Sequence, residues 1–488
     1  MVRNQALTYH RVYDRQYDLT GLRTGSVRDQ LLRAITLTQG LIVDTKEIGP
    51  SPRHGLLILG GGPAGIACAL IAAENDIQAT VLERERSEFL TLAAANTRRV
   101  APFEYDWPRR HSPSGRFPSG VPNFILNFQP KAAAKLAADW QTALDNWRAT
   151  NPKRSRLEII HGADARTFEY ATVTNAQGAV ISILVTGNWD GATRSSREFG
   201  AVVNCTGYMV ERTFHLSQKP RHLFRGHRFW HDADDLHESG FGVDPNYGDV
   251  KSVLISGGGD GAMQDIQRAA TGKFGIELLD QLQLALGVGN LSEYFFSLVQ
   301  ADDAAKRAYA WKMATGPQRF LPVEMAKWNK KYLAIARHIL RRYTATGATL
   351  EQLAEKVLKD SIWQRQGPEI VWVFREEFAE FAYSLNRLLS YIVVSLLRRF
   401  QSSKVVRPST EIMSIRPLDP TWGCCPRPAR CHGLTHLVTF IDRTTGLESI
   451  DEEFQIIILR HGLIFPKKPY LGSRSPLPEQ MIPYDIPR

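Results

Sequence analysis

One segment constrains this chain more than any other: HGLLILGGGPAGIACALIAAENDIQATVLERE, residues 54–85. Leu56 to Leu59 is an apolar run of strand length. Gly60, Gly62 and Gly65 then space a turn as G-x-G-x-x-G, and Pro63 and Ala64 complete the string GGGPAG. Small residues from Ala64 to about Ala73 suit a helix packed closely on a sheet, and Gln78 to Leu82 reads as a second strand. The result is a β–turn–α–β unit of about thirty residues. Each glycine has a mechanical reason: one permits the tight turn, one lets a pyrophosphate approach the backbone, one lets helix and strand pack closely. The helix start presents amides to phosphate oxygens. Glu83 follows Gly60 by 23 positions and ends the second strand, where a carboxylate can accept hydrogen bonds from ribose hydroxyls. A bare turn of this type also occurs without a ligand. Here the strand, the helix and the acid all stand where a dinucleotide needs them.

At 488 residues the chain is too long for one ordinary domain. Its 43% hydrophobic and 23% charged content excludes disordered and fibrous classes. The formal charge of +10 favours anionic ligands without the clustering that nucleic acid requires. The first eighteen residues hold no apolar stretch behind a basic start, so no signal peptide is expected. The longest apolar run, Leu388 to Leu397, is flanked by Arg387 and Arg398 and reads as a buried helix, with no transmembrane segment. Five scattered cysteines argue against a disulfide scaffold and for a reducing, cytoplasmic compartment.

Further along, Leu157 to Ile160, Thr172 to Thr174 and Val180 to Val185 read as strands, and AVVNC at 201–205 as a buried strand ending at Thr206-Gly207. Val253 to Ser256 runs into a second turn in which Gly257, Gly259 and Ala262 form G-x-G-x-x-A. Asp260 inside that turn repels a pyrophosphate unless it caps a helix. Asp280 follows Gly257 by the same 23 positions. Either Ile276 to Leu279 is a strand ending at a ribose-reading Asp280, or ELLDQLQLAL is a helix, which its leucine spacing favours. From about Ala262 to Gln401 the pattern is mostly helical. Strand character returns at Leu437 to Ile441 and Phe454 to Leu459.

The segment 54–85 resembles the opening of flavoproteins with two dinucleotide-binding domains, the FAD/NAD(P)-dependent oxidoreductases, nearest in layout to flavin-containing monooxygenases. The resemblance implies an α/β fold: a Rossmann-like three-layer core, a second nucleotide-binding-like domain and a large helical insertion. It implies that Gly60, Gly62, Pro63, Ala64, Gly65 and Glu83 hold the ADP half of FAD, with Ala165 beside the adenine. Thr206 and Gly207 match the family's Ala-Thr-Gly turn, with Cys205 in place of Ala. Gly257, Gly259 and Ala262 would open an NAD(P)H domain, with no visible arginine after Asp280 to select NADPH over NADH. Phe224, Gly226, Phe229 and His231 loosely match the monooxygenase signature, and Arg460-His461-Gly462 the closing turn. Implied boundaries are an N-terminal extension at 1–54, the first part of the FAD domain at 55–215, the second domain with its insertion at 216–400, and a C-terminal part completing the FAD domain at 401–488. The implied activity is NAD(P)H-linked oxygenation of a small organic substrate through a flavin peroxide. The alternatives are a flavin oxidase or dehydrogenase acting on an amine or amino acid without nicotinamide, and a non-catalytic FAD-binding scaffold.

Two clusters stay open. Cys424, Cys425, Cys431, His432 and His436 are a tempting metal set, but adjacent Cys424-Cys425 do not fit C-x₂₋₄-C, and a Pro-rich loop with free thiols is the plainer reading, so no metal is expected. The basic stretch Arg98, Arg99, Tyr105, Trp107, Arg109, Arg110 and His111 is either a flavin or substrate contact or a solvated loop around a small core. No cysteine lies between Glu83 and Cys205, which removes a dithiol beside the flavin.

Overall fold

A computed structural model describes residues 7–8, 10–20, 26–43, 55–102, 104, 107–108, 124–189, 193–207, 211–218, 221–230, 250–287, 291–302, 322–377, 383–401, 404–419 and 434–462. Tyr105, Arg109, Arg110, His111, His231, Cys424, Cys425, Cys431 and His432 lie outside the described residues.

The first unit begins with β1 (Arg11–Tyr13), β2 (Gln16–Asp18) and α1 (Val27–Val43). Then follow β3 (Leu56–Leu59), α2 (Pro63–Glu74), β4 (Ala79–Glu83), α3 (Ala133–Thr150) and β5 (Leu157–His161). An antiparallel meander β6 (Glu169–Thr174), β7 (Val180–Asn188) and β8 (Arg194–Phe199) precedes the last strand, β9 (Ala201–Asn204). The sheet order is β1-β2-β9-β3-β4-β5, parallel except for β1. Both faces of the sheet are covered, so β3 is apolar throughout rather than alternating. Leu56 and Ile58 pack with α1 and α2, while Leu57 and Leu59 face Ile183, Val185 and Phe199 of the meander. Each such buried side chain stabilises the layers by roughly 1.5–3 kcal/mol. Residues 11–18 and 27–43 are thus a strand pair and a helix of this unit, although the sequence reads 1–54 as an extension.

A two-stranded ribbon, β10 (Phe214–Gln218) and β11 (Arg221–Arg225), leads to the second unit. That unit holds β12 (Ser252–Ser256), α4 (Asp260–Thr271), α5 (Gly275–Leu286), α6 (Pro322–Ala345), α7 (Leu350–Val357), β13 (Glu369–Val373), α8 (Ser384–Leu397) and β14 (Val406–Arg407). A second meander, β15 (Thr410–Pro417), β16 (His436–Asp442) and β17 (Glu452–Phe454), precedes β18 (Ile456–Leu459). The sheet order is β14-β13-β12-β18, all parallel. Val253 and Ile255 face the helices, and Leu254 faces Ile412, Val438 and Phe440 of the meander.

The two units therefore repeat one plan: third strand, second strand, first strand, last strand, with helices on one face and a meander on the other. This corrects the expected boundary at 401. β14 and β18 complete the second sheet, not the first, because the four buried residues of IIIL at 456–459 fill the slot beside β12. Among the described residues, no helix is long and apolar enough to cross a membrane. α8 covers Leu388 to Leu397 and is buried, as its flanking charges predict.

Candidate functional site

β3 stops at Leu59 because Gly60 turns the chain with φ +102°. The Gly60 amide donates to Leu82 O at 2.8 Å, and a side chain at Gly60 would lie 2.6 Å from Cys205 O, at the end of β9. At Gly65 a Cβ would come within 1.9 Å of Gly60 O, so only glycine lets α2 sit this close to the turn. At Gly62 a Cβ would meet nothing within 4 Å. Gly62 is the N-cap of α2 and has no side-chain cap, Pro63 occupies the first helical position, and the first helical bond runs from the Ile66 amide to Gly62 O. The amides before Ile66 stand outside the helical ladder at the positive end of the helix dipole. This is a backbone cradle with room above Gly62 for an anion.

Glu83 borders that cradle. Its Oε2 accepts from the Gly61 amide at 2.5 Å and its Oε1 from the Glu85 amide at 2.8 Å. Each carboxylate oxygen keeps a further lone pair for a hydroxyl. Ala165 is buried in the turn after β5, next to the Ala163 amide that bonds Glu83 O. Thr206 is half-buried beyond β9, its hydroxyl donating to Asn204 Oδ1 at 2.8 Å, and Gly207 follows with φ +85°. The chain thus brings Gly60, Gly62, Pro63, Ala64, Gly65, Glu83, Thr206 and Gly207 to the carboxyl edge of one sheet, with Ala165 flanking them.

The second turn is built the same way. Gly257 has φ +145°, its amide donates to Val373 O at 2.9 Å, and a Cβ there would lie 2.3 Å from Arg460 O. Gly259 is the N-cap of α4, and buried Ala262 stands where Gly65 stands in the first turn. Arg460, His461 and Gly462 thereby correspond to Cys205, Thr206 and Gly207.

Asp260 takes the place of Pro63. Its Oδ1 accepts from the Tyr383 amide at 3.1 Å and from Asn386 Nδ2 at 2.8 Å, so it caps the entry to α8 rather than facing the turn. Burial raises its pKa to about 6 against those hydrogen bonds and the charge of Arg387. Glu104, 3% exposed, lies near enough to feel Asp260; burial first, and that charge second, push its pKa to about 8.

The strand beside β12 is β13, not residues 276–279. Asp280 is exposed on α5, whose leucines at 278, 279 and 282 form the buried stripe, so the helix reading that the leucine spacing favours holds and the ribose-reading alternative for Asp280 falls. Ser256 pairs with Val373 as Leu59 pairs with Leu82. Buried Phe374 therefore stands where Glu83 stands, and Arg375 follows it, half-exposed and paired with Glu411 at 2.8 Å. The run EIVWV, bounded by Gly367-Pro368 and charged residues, carried a strand signal, but it lies more than a hundred positions after the turn, where the spacing rule does not reach.

Ser256 Oγ and His461 Nε2 are 2.8 Å apart. Burial lowers the His461 pKa to about 4, assisted by the charges of His215, Arg375, Arg212 and Arg460. Basic groups thus gather at the carboxyl edge of the second sheet.

Other expectations resolve into packing. Arg98 is 1% exposed and paired with Asp265, and Trp107 packs on the second unit's core. Phe224 is buried edge-on against His436 at 5.1 Å, and His436 Nδ1 meets Leu434 O at 2.9 Å, so this histidine belongs to the core. Among the described residues no group of three or more metal-ligating side chains forms.

Fold and site define an α/β chain with two Rossmann-type units, each carrying a glycine turn at its carboxyl edge. No protein-family model and no curated protein matches the chain. Solved structures do resemble it. They include the thioredoxin reductase of Lactococcus lactis, at 9% identity and TM-score 0.33 over 84% of this chain and 77% of that one. The bacillithiol disulfide reductase of Bacillus cereus aligns at 10% identity and TM-score 0.38 over 84% and 78%. The reduced ornithine hydroxylase of Pseudomonas aeruginosa aligns at 12% and 0.32 over 84% and 82%. At such identities and TM-scores, what those proteins bind or act on remains a property of those proteins.

Proposed function

We propose that this chain is an FAD-dependent oxidoreductase reduced by NADPH, and that it oxygenates a small organic substrate. The observation that carries the reading is the doubled cradle. One strand order, one glycine turn and one closing strand occur twice, once with Glu83 at the end of the second strand and once with Phe374 at that station, an arginine following in each.

The first cradle suits FAD. The amides of Gly62, Ala64 and Gly65 would face its pyrophosphate, with Pro63 setting the first helical turn, Glu83 would face its ribose, Ala165 its adenine side, and Thr206 with Gly207 would close the edge. The second cradle suits a nicotinamide dinucleotide on Gly257, Gly259 and Ala262. Phe374 offers a ribose hydroxyl no acceptor, whereas Arg375 and Arg212 favour the added charge of a 2′-phosphate, hence NADPH over NADH. FAD, when bound, supplies the hydride and oxygen chemistry; the protein positions it and excludes water. Between Glu83 and Cys205 the sequence holds no cysteine, and burial beside Cys68 pushes the Cys205 thiol up, away from the thiolate that disulfide exchange needs; both favour oxygen over a disulfide as the electron acceptor. The basic edge of the second sheet favours this reading over an oxidase that works without nicotinamide.

The test is purification followed by two measurements: flavin absorbance of the isolated protein, and NADPH consumption under air with and without candidate substrates. Bound flavin with NADPH use coupled to a hydroxylated or oxygen-inserted product is the expected result. Absence of flavin removes the premise, and flavin that ignores NADPH but bleaches with an amine turns the assignment to the oxidase.

A further inference from the structure

Asp265, in the middle of α4, is fully buried and holds three arginines from three separate stretches of chain. Arg98 Nη1 and Arg268 Nη1 reach its Oδ1 at 2.7 and 3.0 Å, and Arg460 Nε reaches its Oδ2 at 2.7 Å. Two of these arginines also hold the chain that connects the units. Arg98 Nε donates to Phe229 O at 3.1 Å and its guanidinium lies 3.8 Å from the centre of the Phe229 ring. Arg460 Nη1 donates to His227 O at 2.6 Å and lies 5.4 Å from the same ring. The Phe229 amide in turn donates to Glu211 Oε2 at 2.5 Å.

The stretch that carries Arg98 belongs to the first unit by sequence, yet it lies along the second. Arg99 pairs with Glu277 on α5 at 3.5 Å. Glu104 is wedged against Gly275, where a Cβ would come within 2.6 Å of its Oε1. Trp107 packs among the second unit's buried residues. On another side of the joint, Tyr383, at the start of α8, donates its hydroxyl to Asp29 of α1 at 3.2 Å.

Domains joined by a linker ordinarily move relative to one another unless the interface is extensive. Asp265, Arg268 and Arg460 all sit on the second unit, so Arg98 is the guanidinium that crosses: separation would strip this buried side chain from its buried carboxylate, and removing one partner from a buried ion pair is strongly unfavourable. We infer that the two units are locked into one body by the Asp265 joint, so that the separation of the two glycine turns is set by the protein and not by a rotation between units. This goes beyond the proposed activity and stands whether or not either cradle holds a dinucleotide. If both are filled, the acceptor in the first and the donor in the second must meet by local motion of loops or of the ligands themselves.

The experiment is pulsed dipolar EPR between nitroxides at Asp145→Cys on α3 and Glu355→Cys on α7, both exposed positions, in a chain with Cys424, Cys425 and Cys431 replaced by Ser. The expected result is one narrow distance, unchanged by NADPH, NADP⁺ or reduction with dithionite. A second distance, or a shift on adding either nucleotide, overturns the inference. In Arg98→Met and Asp265→Asn the distribution broadens if the joint is the lock; a distribution that stays narrow in a folded Arg98→Met chain overturns the assignment to Asp265. Should neither variant fold, the wild-type measurement still decides between one body and two. Flavin absorbance of the same samples shows separately whether the cofactor reading has failed.

Discussion

Glu83 and Phe374 hold the same station in the two units. Each directly follows the strand residue that pairs with the last residue before a glycine turn, Leu82 with Leu59 and Val373 with Ser256. One station offers a carboxylate to hydroxyls and the other an apolar ring, and the residue after the ring is Arg375. The next residue is an arginine in both, Arg84 and Arg375, so the two cradles differ in the side chain at this one station while their backbones follow the same path.

The first prediction concerns Arg375. Losing a charge-assisted hydrogen bond to a 2′-phosphate costs about 1.5–3 kcal/mol, so Arg375→Ala should raise the KM for NADPH roughly 10- to 100-fold. The KM for NADH should move little. Steady-state kinetics with both nucleotides checks this, and equal losses for the two would show that Arg375 does not read the phosphate.

Glycine substitutions in the first turn should divide into two kinds. A Cβ at Gly62 would meet nothing within 4 Å, so Gly62→Val should fold with an unchanged circular dichroism spectrum and emerge without FAD. Gly65→Val drives a Cβ to within 1.9 Å of Gly60 O and should destabilise the unit itself, lowering Tm as well as flavin content. Stoichiometric flavin on Gly62→Val would move the cofactor elsewhere.

Asp260→Asn keeps an oxygen for the Tyr383 amide and removes a negative charge beside the second turn. We expect an intact fold and a KM for NADPH lowered a few-fold, in line with about 1 kcal/mol for a charge at a helix start. An increased KM would mean that the carboxylate itself contacts the nucleotide.

Buried acids and histidines bracket the pH of greatest stability. Glu104 is raised from 4.5 to about 8 in the folded chain, so the folded state binds more protons than the unfolded state between those values. Stability from this group is complete below about 4.5 and is lost as pH rises toward 8, by an amount on the order of a few kcal/mol. His10, His436 and His461 are lowered from 6.5 to about 4, so they oppose acid: their contribution is complete above 6.5 and falls as pH drops toward 4. Chemical denaturation across pH 4 to 9 should show a maximum between the two flanks. Glu104→Gln should flatten the alkaline flank and leave the acid one. An alkaline flank that persists in the variant would place its cause elsewhere.

How much of this was legible depended on whether the signal was local. β3, α2, β4 and Glu83 sit within about thirty contiguous residues, and so the spacing of glycines and acid specified them fully. β9 was legible because Ala201, Val202 and Val203 are apolar in succession, as suits a strand covered on both faces. β13 was not, because several helices separate it from Gly257, and the habitual distance from glycine to acid pointed to exposed Asp280 instead. The three-residue strands at 11–18 carry too little pattern to announce that they extend a sheet. Arg98 reads as part of a basic stretch, for a ligand or for solvent, and Arg460 as part of a closing turn, since nothing local reveals that Asp265 will gather both. Pairings between distant stretches are set by topology, and topology became visible only with the second sheet's strand order.

The central claim is that the first cradle holds FAD and the second presents NADPH to it. The most direct measurement is anaerobic addition of NADPH to the flavin-loaded protein, followed by the oxidised-flavin absorbance band. The account predicts that the band bleaches without any substrate, faster with NADPH than with NADH. A flavin that stays oxidised under NADPH, yet bleaches on addition of an oxidisable amine, would contradict it.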